Sequence, residues 1–261
     1  MATLTLDGAL VVAESLGVQT FPSVLALRAR HVDHASAAGA REAATLELRE
    51  RGVLDGYGDV RDDELAGALF ALARPERELV LRIRRGTELH RVCLVRRGLD
   101  HAVAIRVGDE LDIRPVWGDE DPELLARPLL DALGPAQPAD IPTFRAPTDE
   151  LRERLDAADN SATSAVYQLG LPEQDAITLG LALRQWTSLA ELVCYAHADG
   201  AAVRSPATAA VYDTAAGRII AGGSVAADGR AWTTLAPGTD RRLAHAVAAQ
   251  IEALPQGRWM P

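Results

Sequence analysis

The nearest approach to a metal cluster in this sequence is His31-Val32-Asp33-His34, in which the two histidines could share a helix face beside the aspartate. A zinc site needs three or four converging ligands, and no second cluster completes this one, so the segment reads as a solvated turn ahead of a helix. His90, His101, His197 and His245 stand singly and read as surface or hydrogen-bonded structural residues. Cys93 and Cys194, 101 positions apart, each sit between apolar neighbours and read as reduced core thiols rather than a disulfide or a nucleophile. Ser224, in Gly222-Gly223-Ser224-Val225-Ala226, lacks the Gly-x-Ser-x-Gly elbow, and these glycines are expected to serve a bend or bulge between strands. Gly56-Tyr57-Gly58 runs into Asp59-Val60-Arg61-Asp62, with no phosphate loop. The carboxylates of 62–64 and 119–121 fall where helices begin, a place the helix dipole favours for negative charge. Acid–base work would need two such groups facing across a cleft. The expectation is therefore a protein that is not an enzyme, with no catalytic residue, metal or cofactor.

Composition narrows the partners. With 37 acidic and 27 basic residues the formal net charge is −10, which argues against nucleic acid, because phosphate binding needs a concentrated cationic face. Every basic residue is Arg, a mark of GC-rich coding more than of function. Nearly half of the 261 residues are hydrophobic, enough to bury one substantial core or two small ones pressed together. No apolar run is long enough to span a bilayer, and the start, Met1-Ala2-Thr3-Leu4-Thr5-Leu6-Asp7, has no basic segment or signal core. A cytoplasmic protein without membrane insertion is expected.

The elements that would position these residues read in the same order twice. In the first half Thr3 to Leu6 alternates as a strand, Asp7 stands at an N-cap position, and Gly17 supplies a stop. Helices follow over Ser36 to Arg51 and Asp62 to Ala73, then strands over Glu78 to Arg84, Leu89 to Arg96, Ala102 to Val107 and Leu111 to Trp117. Their short Gly-containing connections predict antiparallel hairpins, and Pro122 to Leu133 closes the half as a helix. In the second half a brief strand at Thr143 to Arg145 precedes helices from Thr148 or Asp149 to Leu155, over Ala162 to Leu169, and from Pro172 to Trp186. Strands are expected at Glu191 to Tyr195, Thr208 to Tyr212, Arg218 to Ala221 and Ala231 to Leu235. The last helix carries Leu243, Val247, Ile251 and Leu254 on one face.

Glu78-Leu79-Val80 recurs as Glu191-Leu192-Val193, 113 positions on, and Gly118 recurs as Gly238, 120 positions on. The difference fits a longer connection over Ala198 to Pro206. The predicted architecture is α+β, a central antiparallel sheet flanked by helical bundles, with halves 1–138 and 139–261 packed as one unit and related by approximate internal two-fold symmetry.

The second half also carries a resemblance. Ser205-Pro206, Tyr212-Asp213-Thr214, Gly217-Arg218, Asp228-Gly229-Arg230-Ala231-Trp232 and Pro237-Gly238 before an amphipathic helix resemble the C-terminal signature of the EspG family. Arg51-Gly52-Val53-Leu54, Leu72-Ala73-Arg74-Pro75-Glu76-Arg77-Glu78-Leu79 and the Arg-rich meander are similar to its first half. The resemblance implies a cytosolic chaperone of an actinobacterial type VII (ESX) secretion system. Such a chaperone binds helical substrates, PE–PPE heterodimers or related proteins, and keeps them soluble for export. It further implies binding through the loop between the first two meander strands, the outer sheet face and the C-terminal helical bundle. Here that loop is the short Arg84-Arg85-Gly86-Thr87-Glu88, and Leu171, Gln185 and Trp186 are the residues the bundle would offer. Ile177, Leu179, Leu181 and Leu183 read as core. Two other readings stay open. One is an enzyme or small-ligand protein with a pocket between the halves, lined by Tyr57, His90, Cys93 or His197. The other is a homodimer joined through an exposed sheet edge.

Overall fold

The computed structural model describes residues 2–28, 30–157 and 161–261. Strand β1 (Ala2–Thr5) leads into α1 (Leu6–Ser15), a 3-10 turn (Ser23–Leu25), α2 (His34–Glu50) and α3 (Asp63–Ala73). The meander β2 (Arg77–Arg85), β3 (Glu88–Arg97), β4 (Asp100–Val107) and β5 (Glu110–Pro115) follows, closed by α4 (Pro122–Leu133). The second half runs β6 (Phe144–Pro147), α5 (Thr148–Ala157), α6 (Ala162–Gln168), α7 (Glu173–Arg184), β7 (Trp186–Ala198), β8 (Ala201–Arg204), β9 (Ala209–Thr214), β10 (Gly217–Val225), β11 (Ala231–Pro237) and α8 (Asp240–Glu252). All described strands pair antiparallel in one sheet of order β1-β5-β4-β3-β2-β7-β9-β10-β11-β6, with β8 alongside the end of β7.

The pleat sorts the core into two faces. Leu79, Leu81 and Ile83 of β2, Val92 and Leu94 of β3, Leu192 and Cys194 of β7, and Ile220 of β10 point to one face and pack beneath α4 and α8. Val80, Cys93, Val95, Ala104 and Ile113 point to the other face and are covered by α1, α2 and α3 at the β1 end. On that same second face Ile219, Leu235, Phe144 and Ala146 pack with α5, α6 and α7 at the β6 end. The helices of the second face thus stand at the two ends of the sheet.

Several boundaries differ from the sequence reading. Thr5, not Asp7, caps α1: its hydroxyl accepts from the Gly8 amide at 3.0 Å, and Asp7 falls in the first turn. Asp33 caps α2 through the Ser36 amide, so His34 is already helical. α7 ends at Arg184, because Gln185 is extended and Trp186 begins a strand paired to Thr214. The long connection after β7 holds a further strand, β8, which turns back at Asp199-Gly200 and pairs with Tyr195–Ala198. Gly222 and Gly223 lie inside β10 with no break in register towards β11, and the pairing with β9 ends in register at Gly222. Gly223 is needed for close approach, since a Cβ there would stand 2.7 Å from the Thr208 carbonyl oxygen.

The chain end is anchored to the first half. The fully buried Trp259 donates its indole N–H to Nε2 of His101 at 2.9 Å, and Nδ1 of that ring faces the Leu99 carbonyl at 3.1 Å. The Glu120 carboxylate accepts from the amides of Trp259 (3.3 Å) and Met260 (2.7 Å), and Arg77 holds Gln256 and the Arg258 carbonyl. Only a neutral imidazole with its proton on Nδ1 satisfies both neighbours. Burial, the largest cause, and the cross-strand Arg96 hold the ring below its ordinary value of 6.5, against the opposing pull of the Leu99 carbonyl, Asp100 and Asp119.

As pH falls below about 6.5 the unfolded chain takes up a proton that the folded ring refuses, so stability is lost from there down through the folded value. The thermal midpoint should therefore fall between pH 7.5 and 5.5. His101→Gln, which keeps a donor for Leu99 and an acceptor for the indole, should show a smaller fall over that window by calorimetry. Trp259→Ala should cost about 3–5 kcal/mol in urea unfolding.

Candidate functional site

Because the helices of the second face cover its ends, the middle of that face stays open over β2, β7 and β9. A groove of about 780 Å³ runs there between the 3-10 turn on one side and α5 on the other. Its floor includes Val80, Val193, Tyr195 and Ala210, and the charged residues that line it are Arg82, Arg91, Arg152, Arg204, Asp149 and Glu191. Arg82 and Glu191 face each other across the β2–β7 pairing and form an ion pair at 3.2 Å. Both side chains are more than half exposed, so the pair contributes no more than about 1 kcal/mol. Arg91 donates to the Val24 carbonyl at 3.2 Å and ties the 3-10 turn to the sheet. Burial first, then the Glu191 carboxylate, raises the Tyr212 hydroxyl above its ordinary value, so that side chain stays neutral at neutral pH.

Beyond the groove, β2 runs on to the turn that joins it to β3. The hairpin is tight: Arg85 pairs with Glu88, and Gly86 takes φ of 58°, the left-handed conformation that a two-residue loop with Gly first demands. Arg84 pairs in register with Leu189 of β7, its side chain exposed and in no ion pair among the described residues. Arg85 is engaged inward, donating to the carbonyls of Ala132 (3.1 Å) and Leu133 (2.7 Å) at the C-terminus of α4. Glu88 bonds His90 at 2.7 Å.

Antiparallel pairing brings the start of β7 to this same end of the sheet. Gln185 is exposed and Trp186 is 40% exposed, close to the β9–β10 turn. On α7, Leu181 is 60% and Ile177 36% exposed, whereas Leu179 is buried and Leu183 partly buried. The core expectation for Ile177 and Leu181 is corrected: one helical turn apart, they form an outward apolar stripe on α7. Leu181 and Gln185 line a shallow hollow with Ala215 and Ala216. The structure therefore gathers Arg84 to Glu88, Gln185 and Trp186 at one end of the sheet. Leu171 lies apart, buried in the core of the α5–α7 bundle. The groove residues Arg82, Arg152, Glu191 and Arg204 were not singled out by the sequence, since they come from four separate elements. The one signal available is the alternation of Arg82 and Arg84 with the apolar Leu81 and Ile83 in β2.

The residues named for a ligand pocket do not line the groove, although Cys93 (3.4 Å) and His197 share the buried Glu78 carboxylate. Tyr57 stands exposed in a loop, His90 bonds Glu88, and His197 is bound to the buried Glu78 at 2.8 Å. Cys93 is sealed in the core, and burial, reinforced by Glu78, pushes its thiol well above the ordinary value. Burial likewise pushes Cys194 up to about 12. Neither thiol is a ready nucleophile. Among the described residues no three His, Cys, Asp or Glu side chains come together to hold a metal. No described helix is long and apolar enough to cross a membrane. The outermost strands, β1 and β6, are four residues each and run directly into α1 and α5, leaving little free edge for a second copy. Thiol labelling tests the burial: both cysteines should resist iodoacetamide at pH 8 and react together only as the chain unfolds in urea, read by mass spectrometry.

Three comparisons bear on this geometry. A model of the EspG family matches residues 5–249. ESX-1 secretion-associated protein EspG1 of Mycobacterium tuberculosis H37Rv is 29% identical, the alignment covering 98% of this chain and 88% of that protein. ESX-3 secretion-associated protein EspG3 of the CDC 1551 strain is 28% identical, with 99% and 92% covered. The type VII secretion system chaperone EspG5 of M. tuberculosis, solved in complex with a PE25–PPE41 dimer, superposes with a TM-score of 0.82 at 21% identity, over 99% of this chain and 98% of that one, and so shares the fold.

Proposed function

Because the chain belongs to the EspG family, we propose that it is a cytoplasmic, non-enzymatic chaperone of a type VII secretion system that binds helical PE–PPE-like substrates and keeps them soluble for export. The observation that carries this reading is the open groove over the middle of the second sheet face, with Ile177, Leu181 and Trp186 exposed on α7 and at the start of β7. A substrate with an apolar helical tip exposes surface that drives aggregation, and covering it with a preformed apolar stripe removes that drive without chemistry. The EspG5 relative of the same fold holds a PE25–PPE41 dimer, which supports the substrate class. Arg84, Gly86, Thr87, Gln185 and Trp186 are assigned to the contact. Arg85, which caps α4, and Glu88 hold the hairpin that presents them.

The halves 1–138 and 139–261 are read as two versions of one plan. The strand order, followed outward from the β2–β7 junction, supports this, as does Val80 standing opposite Val193, 113 positions on. So does the pairing of glycines with their neighbours: a Cβ on Gly118 would strike His101, and one on Gly238 would strike Arg218.

Co-expression with each PE–PPE-like gene pair of its own genome should yield a one-to-one-to-one complex by size-exclusion chromatography with light scattering. Leu181→Asp and Trp186→Ala should each weaken that complex by about ten- to a hundredfold in calorimetry while leaving the circular dichroism unchanged. Failure of every pair to bind would sink the chaperone reading, and unchanged affinity in both variants would move the surface elsewhere.

A further inference from the structure

The groove reverses the sign of the molecule around it. The chain carries 37 acidic and 27 basic residues, yet four arginines, Arg82, Arg91, Arg152 and Arg204, line the groove against only Asp149 and Glu191. These arginines are not equivalent. Arg82 is paired with Glu191, and Arg91 is committed to the Val24 carbonyl. Arg204, at the end of β8, makes no ion pair among the described residues, and Arg152 on α5 reaches only Asp149, at the 4.0 Å limit and with both side chains largely exposed. Arg84, exposed and two residues beyond Arg82 on β2, adds a third uncommitted guanidinium beside the β2–β3 turn.

We propose that the segment seated in this groove presents separate carboxylates to Arg84, Arg152 and Arg204, so that this chain selects substrates whose helical tip is acidic. The inference rests on the chaperone reading and goes beyond it by naming the chemistry of the tip. Three features favour a carboxylate-bearing protein segment. A guanidinium offers a planar fork that matches a carboxylate, and here the forks are unspent. The floor between them, Val80, Val193 and Tyr195, is apolar and suits helix side chains between the charges. Glu191 stands in the middle of that floor beside Arg82, where it would repel the continuous run of phosphates in a nucleic acid. The net charge of −10 disfavours an acidic partner in general, and the excess of arginine over carboxylate in the groove offsets this locally, which helps to orient the docking.

The test uses the PE–PPE-like heterodimer recovered by co-expression, with calorimetry at 50 and 500 mM NaCl. The triple variant Arg84→Glu, Arg152→Glu, Arg204→Glu should lose about tenfold or more in affinity at low salt, and the wild-type affinity should fall markedly at high salt. A control of equal charge change on the opposite face, Arg127→Glu, Arg241→Glu, Arg242→Glu, should stay within about twofold. Replacing the tip carboxylates of the substrate with Arg should restore binding to the triple groove variant. If the groove variant and the control bind alike, with little dependence on salt, the acidic-tip proposal is wrong while the chaperone reading stands. Tighter binding of a single-stranded oligonucleotide than of the heterodimer in the same groove would also overturn it. Should no heterodimer bind the wild type, both the reading and this proposal fall together.

Discussion

The pairing of β2 with β7 is the constraint on which the rest of the molecule depends. Eight residue pairs, from Arg77 with Ala196 to Arg84 with Leu189, join the two halves of the chain into one sheet. The pairing has a buried side and an open side. On the buried side Leu79, Leu81 and Ile83 meet Cys194, Leu192 and Ala190, all beneath α4 and α8. A one-residue slip of this register would turn one strand over, bringing either Arg82 or Glu191 under the helices and the neighbouring Leu81 or Leu192 into water. Burial of each large apolar side chain is worth about 1.5–3 kcal/mol, so the register is strongly specified even though the exposed ion pair contributes little.

The same seam explains why a binding surface exists at all. α4 and α8 meet over the centre of one face, because each follows the last strand of its half and returns across the sheet. The helices that precede each meander pack near the outer strands on the other face, and the seam is left between them. The open sheet face sets Arg82, Arg84 and Glu191 among Val80, Val193 and Tyr195, so it exposes fewer aliphatics than the opposite, buried face would. The tight β2–β3 hairpin and the start of β7 then reach the same end of the sheet, which sets Arg84 near Trp186 although a hundred residues of chain separate them.

Much of this was legible in the sequence, and what was not has identifiable causes. The meander strands and α4 stand where their alternation and Gly turns put them, since local signals and burial agree there. Trp186 reads as helical because the apolar run from Ile177 to Leu183 points onward, whereas the strand that follows alternates small residues, Ser188, Ala190, Cys194 and Ala196, whose periodicity is weak in hydropathy. β8 is invisible for a related reason: all four of its residues are exposed, and backbone pairing alone makes it a strand. The cap of α1 is a contest between adjacent candidates, and the Thr5 hydroxyl reaches the Gly8 amide that Asp7, already in the first turn, does not. The groove was beyond reach, because Arg82, Glu191, Arg204 and Arg152 meet only through the order of strands in the sheet.

The arginines show how far chemistry by residue type can go. With no lysine in the chain, every cation is a guanidinium, and its identity alone says nothing about its role. Arg85 and Arg218 spend theirs on the last carbonyls around α4, Arg106 on the carbonyls of Leu25 and Ala26, and Arg77 on the chain end. Each donates to at least one backbone carbonyl, and such groups are costly to orphan when buried. Arginines of this kind are fixed by the scaffold and have few donors left for a partner. Arg84 and Arg204 have no such employment, and both border the open face. The distinction between structural and available cations lies in the hydrogen bonds already made, which is why neighbouring residues as alike as Arg84 and Arg85 take opposite parts.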